Sequence, residues 1–191
     1  GKLTSDTGDT LRFWAHRQLA RTYYHSKGII SHAQFDETDW WSLQSTLTSL
    51  PRFQLWVAKH VNRIAGTMSF LSHQDGRCNL CPSCQIHMET CSHIARCPEA
   101  GRALAFAQST DEMDLWLGAN NTHPDLRSLL LLYTRGRGTV SCLECAVSLD
   151  LPPHLHKLAR SQDVIGWDNY MMGMLSAQMA AVQSVYLLQH H

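Results

Sequence analysis

Four side chains between positions 81 and 97 have the types and spacing of a metal site. Cys81-Pro-Ser-Cys84 is followed by eight residues, His93, three more residues and Cys97. Three thiolates and one imidazole at this spacing can close a tetrahedron around a single Zn²⁺. Pro82 bends the chain between the first two cysteines, which then share a tight turn. His93 and Cys97 lie four apart and share a face if their segment is helical. Thr90 is placed to cap that helix, with His93 on its first turn. Cys78 and Cys91 are spare thiols in the same window and are alternative ligands. Two plainer accounts compete. The cysteines could be small buried hydrophobes, or they could form a disulfide framework. The framework fits poorly with a chain of 191 residues and no secretory signal pattern. Cys142 and Cys145 form another Cys-x2-Cys pair. No second pair lies near it, and Val140-Ser-Cys-Leu-Glu-Cys-Ala-Val147 suits a core equally well.

A site closed by four protein ligands leaves no position for water, so its chemistry is structural. Other catalytic patterns fail. Arg135-Gly-Arg-Gly138 lacks the Lys-Ser/Thr pair of a phosphate loop, and Gly-x-Ser-x-Gly is absent. His87-Met-Glu89 has the local spacing of a zinc deaminase, but it follows the Cys-x2-Cys pair where it should precede it. A zinc-dependent hydrolase is therefore a remote alternative, and no catalytic residue is assigned.

The elements that must hold these ligands read as helices almost throughout. Leu11, Trp14, Ala15, Leu19 and Tyr23 define one amphipathic helix, and Gly28 is placed to end it. Asp36 or Thr38 can cap a second helix carrying Trp40, Leu43, Leu47 and Leu50. Pro51 opens a third, with Phe53, Trp56, Val57, Val61 and Ile64 on its apolar face and Gly66 as its stop. Ser72–Arg77 reads as the loop into the metal turn. Ser109 with Glu112 makes a capping box ahead of Leu115 and Leu117. Thr122, Pro124 and Asp125 start a helix with Leu126, Leu129, Leu130 and Tyr133, which Gly136 and Gly138 break. Pro152 and Pro153 mark a turn before the last helical region. There Met171, Met174, Gln178, Ala181, Val185 and Leu188 repeat at helical spacing, and so do Met172, Leu175, Met179, Val182 and Tyr186. A helix apolar on both flanks is buried or packs against a partner.

The fold class expected is mainly α: a helical domain with an embedded Cys3His zinc knuckle and at most a short hairpin. Its parts are an N-terminal helical part, 1–73, the knuckle, 74–101, and a C-terminal helical part, 102–191, packed as one unit. Trp14, Trp56, Leu129, Leu130 and Ile165 are expected to be buried.

Net charge is zero, which disfavours a strongly basic nucleic-acid-binding domain. Residues 1–73 carry eight Lys/Arg against five Asp/Glu, and residues 102–191 carry six against eight. An anion-binding surface therefore belongs in the N-terminal part. No apolar run reaches membrane-spanning length, and free cysteines suggest a reducing, intracellular compartment, cytoplasm or nucleus. Starting without Met, the chain reads as a piece of a longer protein.

The metal window resembles the zinc-binding segment downstream of the reverse transcriptase domain in non-LTR-type retroelement polyproteins. The resemblance lies in Cys81-Pro82-Ser83-Cys84, Glu89-Thr90, His93 and Cys97, taken in that order. Upstream, Pro51-Arg-Phe-Gln-Leu-Trp-Val-Ala-Lys-His60 is similar to the helix preceding the knuckle in algal and other protist relatives. Downstream, Tyr133–Gly138 and Gln162–Gly173 are similar to segments that follow it. The chain lacks the polymerase motif Tyr/Phe-x-Asp-Asp and the acidic constellation of a ribonuclease H. The resemblance thus implies a non-enzymatic accessory region that binds zinc, works beside an upstream reverse transcriptase domain and positions RNA or DNA. Candidate phosphate contacts are Lys59, His60, Arg63 and Arg96 near the knuckle, with Arg135 and Arg137 on a Gly-rich turn. Lys59 and Arg63, four apart, would share a helical face, and with Arg96 would form a surface free of carboxylates. The alternative is a protein-interaction or oligomerisation scaffold that self-associates through the C-terminal helix.

Overall fold

The computed structural model describes the backbone of residues 7–49 and 51–190, and the side chains of those residues apart from 7–14, 51–53 and 56. The chain is about 70 % helical. Among the described residues, strand pairing is confined to isolated bridges between Thr38 and Ser176 and between Leu80 and Met88. The second bridge is the short hairpin at the metal turn. The expected burial of Trp14 and Trp56 lies outside the described side chains.

Contacts group the chain into two compact units, Gly1–Asp36 and Glu37–His191. The knuckle segment 74–101 lies wholly within the second. In the first unit, α1 (Thr7–Ser26) ends where Gly28 takes a left-handed φ of 62°, as expected. A short α2 (His32–Glu37) follows, which apolar periodicity did not signal. Its start is a reciprocal cap: Gln34 N–H donates to Ser31 Oγ, and Ser31 N–H donates to Gln34 Oε1. Arg21 clasps Asp36 with two hydrogen bonds of 2.9 and 2.8 Å, and Phe35 is buried under Tyr24 and Arg17. Leu19 and Tyr23, expected on the buried stripe, are exposed.

The second unit contains α3 (Trp40–Ser49), α4 (Pro51–Val61), α5 (Met68–Asp75), α6 (Cys91–Arg96), α7 (Ala100–Ala119), α8 (Pro124–Arg135), α9 (Cys142–Ser148), α10 (Pro153–Ile165), α11 (Trp167–Tyr170) and α12 (Ala177–His190). Proline opens α4, α8 and α10, as its fixed φ and missing N–H favour. Several helix ends differ from expectation, each for a local reason. α3 is capped by Asp39, whose carboxylate accepts from Ser42 N–H, and neither Asp36 nor Thr38 serves. α4 stops at Val61, before Gly66, because Arg63 turns left-handed at φ 57°. The expected loop at Ser72–Arg77 is largely the end of α5, which runs to Asp75 and is closed by Gly76. α7 begins at Glu99, whose carboxylate accepts from the N–H groups of Gly101 and Arg102, so Ser109 and Glu112 lie inside a helix and form no capping box.

The core is built on α8, α9 and α10. Leu129, Tyr133, Cys142, Cys145, Leu155, Leu158 and Ile165 are all essentially inaccessible, and Leu130 is buried. Each burial of this kind stabilises by roughly 1.5–3 kcal/mol. The expected last helix is shorter than its apolar stripes. Residues 171–176 form a turn, because buried Gln162 accepts from Ser176 N–H and donates to Met174 O. Gly173 at φ 89° supports the reversal. On α12, Met179 faces the core while Val185 and Leu188 are exposed. Among the described residues, no helix is long and apolar enough to cross a membrane.

Candidate metal centre

Cys81, Cys84, His93 and Cys97 converge. One donor atom from each lies within 4.8 Å of the other three. Cys81 Sγ is 3.8 Å from Cys97 Sγ, and Cys84 Sγ is 3.5 Å from His93 Nε2. A sulfur pair at that distance is far outside disulfide bonding, and four donors so spaced suit one shared ion.

The turn that presents Cys81 and Cys84 is closed from within. Gln85 N–H donates to Cys81 O, Cys81 N–H donates to His87 O, and Gln85 adopts a left-handed φ of 53°. Of the other two ligands, His93 sits in α6 and Cys97 follows directly as the C-cap of that helix. Thr90 caps it, its hydroxyl accepting from His93 N–H at 3.1 Å. His93 and Cys97 then fall one turn apart, as their spacing predicted.

Backbone N–H groups aim at the sulfurs. Burial pushes the Cys81 thiol up, but N–H groups of Cys84 and Ser83, with His93 and Cys97, outweigh it and hold the thiol below its usual range. The N–H groups of His87 and Ile86 do the same for Cys84. Burial dominates at Cys97 and raises it. The thiolate is the ligating form, so the turn is disposed toward metal.

Cys78 and Cys91 stand outside the tetrad. Cys78 is exposed and Cys91 is half-buried, with its thiol raised by burial against the opposing Ala65 N–H and Arg63 charge. Cys142 and Cys145 are core residues. Burial pushes both thiols up, Cys145 to about 11, and the Asp163 carboxylate accepts from the N–H groups of Cys142 and Leu143 at the start of α9.

Residues that spacing did not single out fasten the knuckle. Glu89 is buried, and its carboxylate accepts from Met68 N–H at 2.9 Å, so it holds the start of α5. Arg102 on α7 reaches Glu89 at 3.5 Å and donates to Ser83 Oγ inside the metal turn. Glu89 was visible in the Glu-Thr pair. Nothing local marked Arg102.

The arginines expected to meet nucleic acid are largely engaged within the protein. Arg137 donates to Ala95 O and Cys97 O at 2.8 Å each and lies over Phe106. It satisfies the open carbonyls at the end of α6. Arg96 donates to Arg137 O, pairs with Asp168 at 2.9 Å and lies 4.8 Å over the Trp167 ring. Arg135 pairs with Asp111. Lys59 and His60 line one cleft with Glu89 and Arg102. Arg63 lines another with Cys91 and Asp168. The expected carboxylate-free surface of Lys59, Arg63 and Arg96 is therefore not formed. The helix that was to align Lys59 with Arg63 ends between them, and Asp168 occupies Arg96.

Gly138 makes this latch possible. At φ 76° it packs so closely that a Cβ would fall on the Arg96 guanidinium. Gly138→Ala is expected to cost about 1–3 kcal/mol through the left-handed backbone and the displaced arginine. Urea melts would measure it, and a variant as stable as wild type would show that the latch contributes nothing.

Compared with protein-family models, curated proteins and solved structures, the chain matches none.

Proposed function

We propose that this chain is a zinc-stapled accessory module of a retroelement reverse transcriptase protein, and that it positions RNA or DNA beside the polymerase. The observation that carries the zinc assignment is the spacing of the donors. Zn–S of about 2.3 Å and Zn–N of about 2.0–2.1 Å in a tetrahedron imply S···S near 3.8 Å and S···N near 3.5 Å. Two of the six edges, at 3.8 and 3.5 Å, match these values, and all six lie within 4.8 Å. With all four positions taken by protein, the ion braces the fold and performs no reaction. Intracellular reducing conditions suit a site of free thiols.

The retroelement context rests on the order of Cys81–Cys84, Glu89-Thr90, His93 and Cys97. Its support is that the flanking segments resembling the same proteins, Tyr133–Gly138 and Gln162–Gly173, supply Arg137, Gly138, Trp167 and Asp168, which grip the knuckle. Motif and flanks thus behave as one unit. The phosphate contacts proposed are Lys59, His60 and Arg63, which line the two clefts beside the knuckle. Filter binding of single-stranded RNA and duplex DNA over a salt series tests this. Binding should weaken steeply with salt, and the double variant Lys59→Ala, Arg63→Ala should flatten the log–log slope by roughly 1.5 units.

A second reading has its own observation. Leu115 and Trp116 on α7 and Val185 and Leu188 on α12 are large apolar side chains left exposed. They favour a protein-interaction scaffold, including self-association through α12. Absence of salt-dependent binding, with a dimer in light scattering that Leu188→Asp dissociates, would make the scaffold the better reading.

A further inference from the structure

A cleft of about 380 Å³ opens beside the knuckle, between the end of α4, α5, the first residues of α6 and α11. No metal ligand lines it. Its volume lies in the range of small-ligand sites, about 300–1,000 Å³. Phe70 and Met172 supply flat and deformable apolar wall, while Arg63 and His73 bring basic groups to the same recess. Asn169 is 7 % exposed and lines the cleft. Its Nδ2 donates to Ile165 O, but the structure gives its Oδ1 no donor. The amide oxygen is thus the group left to accept from a ligand N–H in the cleft. Asp168 stands beside it with its charge countered by Arg96.

These features define complementary chemistry. An aromatic face beside a carbonyl acceptor and a carboxylate suits a planar heterocycle bearing an exocyclic amino group. A guanidinium fork in the same recess suits phosphate. We propose that this cleft receives one unstacked, amino-bearing nucleobase of a single-stranded nucleic acid, with the base against Phe70, its amino group on Asn169 Oδ1 and Asp168, and its phosphate on Arg63 and His73. This rests on the nucleic-acid reading above and deepens it. The cleft also depends on the metal. Thr90 and Cys91 form part of its lining, and Thr90 caps the helix that carries His93 and ends at Cys97. Losing the ion should therefore deform the pocket as well as the knuckle.

The test uses the zinc-loaded chain and two readouts. In the first, a short single-stranded RNA carrying one 2-aminopurine is titrated and followed by fluorescence. Phe70→Leu keeps an apolar side chain but removes the stacking face, and should weaken binding between about five- and one-hundred-fold. Phe70→Tyr should stay within about two-fold of wild type. Metal content and melting are measured for both variants, so that a folding defect is separated from a lost contact. In the second readout, alkylation of Cys91 is followed by peptide mass spectrometry, because this thiol lines the cleft and lies outside the tetrad. Adenosine 5′-monophosphate should slow its alkylation, uridine 5′-monophosphate should do so less, and chelation of zinc should abolish the difference. RNA binding that is indifferent to Phe70→Leu, with Cys91 unprotected by either nucleotide, overturns the cleft and leaves the nucleic-acid module standing. Protection of Cys91 by adenosine 5′-monophosphate without any binding of RNA or DNA keeps the cleft as a nucleotide site and overturns the module.

Discussion

Cys97→Ala should abolish stoichiometric zinc binding and loosen residues 78–98 before the rest of the second unit. Cys97 is fully buried at the centre of the tetrad, beside Cys81 Sγ at 3.8 Å. Structural zinc contributes an apparent 10–16 kcal/mol in small metal domains, and that free energy becomes folding free energy of the ligating segment. Few other contacts could replace it, since α6 is one short helix with no fully buried residue. The body built on α8, α9 and α10 has its own core of Leu129, Leu155 and Leu158, so it should persist. Metal analysis should find one zinc per wild-type chain and almost none in the variant, while hydrogen exchange rises first over 78–98. Cys91→Ala should keep its zinc, because that thiol stands outside the tetrad. Metal should also be released as pH falls, since protons compete for the thiolates and the imidazole. Uniform loss of helix in Cys97→Ala would contradict a local staple, and zinc retained there but lost from Cys91→Ala would reassign the ligand.

Trp167→Ala should be the most damaging single change outside the metal site, by about 3–5 kcal/mol. The indole is 5 % exposed, and its Nε1–H donates to Tyr133 O at 3.1 Å. Truncation opens a cavity in the core and leaves a buried carbonyl without its donor. It also removes the ring under Arg96, an interaction worth about 0.5–2 kcal/mol. Arg96 adjoins the ligand Cys97, so the damage should travel: amides of 94–98 should exchange faster than in wild type even with zinc bound. Trp167→Phe fills most of the volume and keeps a ring, and should lose markedly less. Denaturant melts and hydrogen exchange measure both variants. Exchange over 94–98 unchanged in Trp167→Ala would show that the core and the knuckle are not coupled through this latch.

The sequence by itself determined whatever depends on neighbours within a turn or two. Cys-Pro-x-Cys, the four-residue step from His93 to Cys97 and the cap at Thr90 are local, so the tetrad was legible from spacing alone. So were the proline starts of α4 and α8 and the end of α1 near Gly28, whereas Pro152-Pro153 read as a turn and α10 begins there. Local patterns misled where a distant group competed. Ser109 and Glu112 look like a capping box, yet Glu99 starts the helix ten residues earlier. The methionine-rich stripes imply a helix from 171, but Gln162 binds the backbone of Met174 and Ser176 and forces a turn there. The fate of the arginines was the least legible. Arg96 beside the knuckle and Arg135 and Arg137 on a flexible Gly-rich turn read as phosphate contacts. Their partners, Asp168, Asp111 and the carbonyls of Ala95 and Cys97, lie 24 or more residues away along the chain. Hydrogen-bond partners at that separation leave no period in the sequence. Only tertiary packing decided that these charges would brace the knuckle, and that the clefts beside it would be lined by Lys59, Arg63 and Asn169.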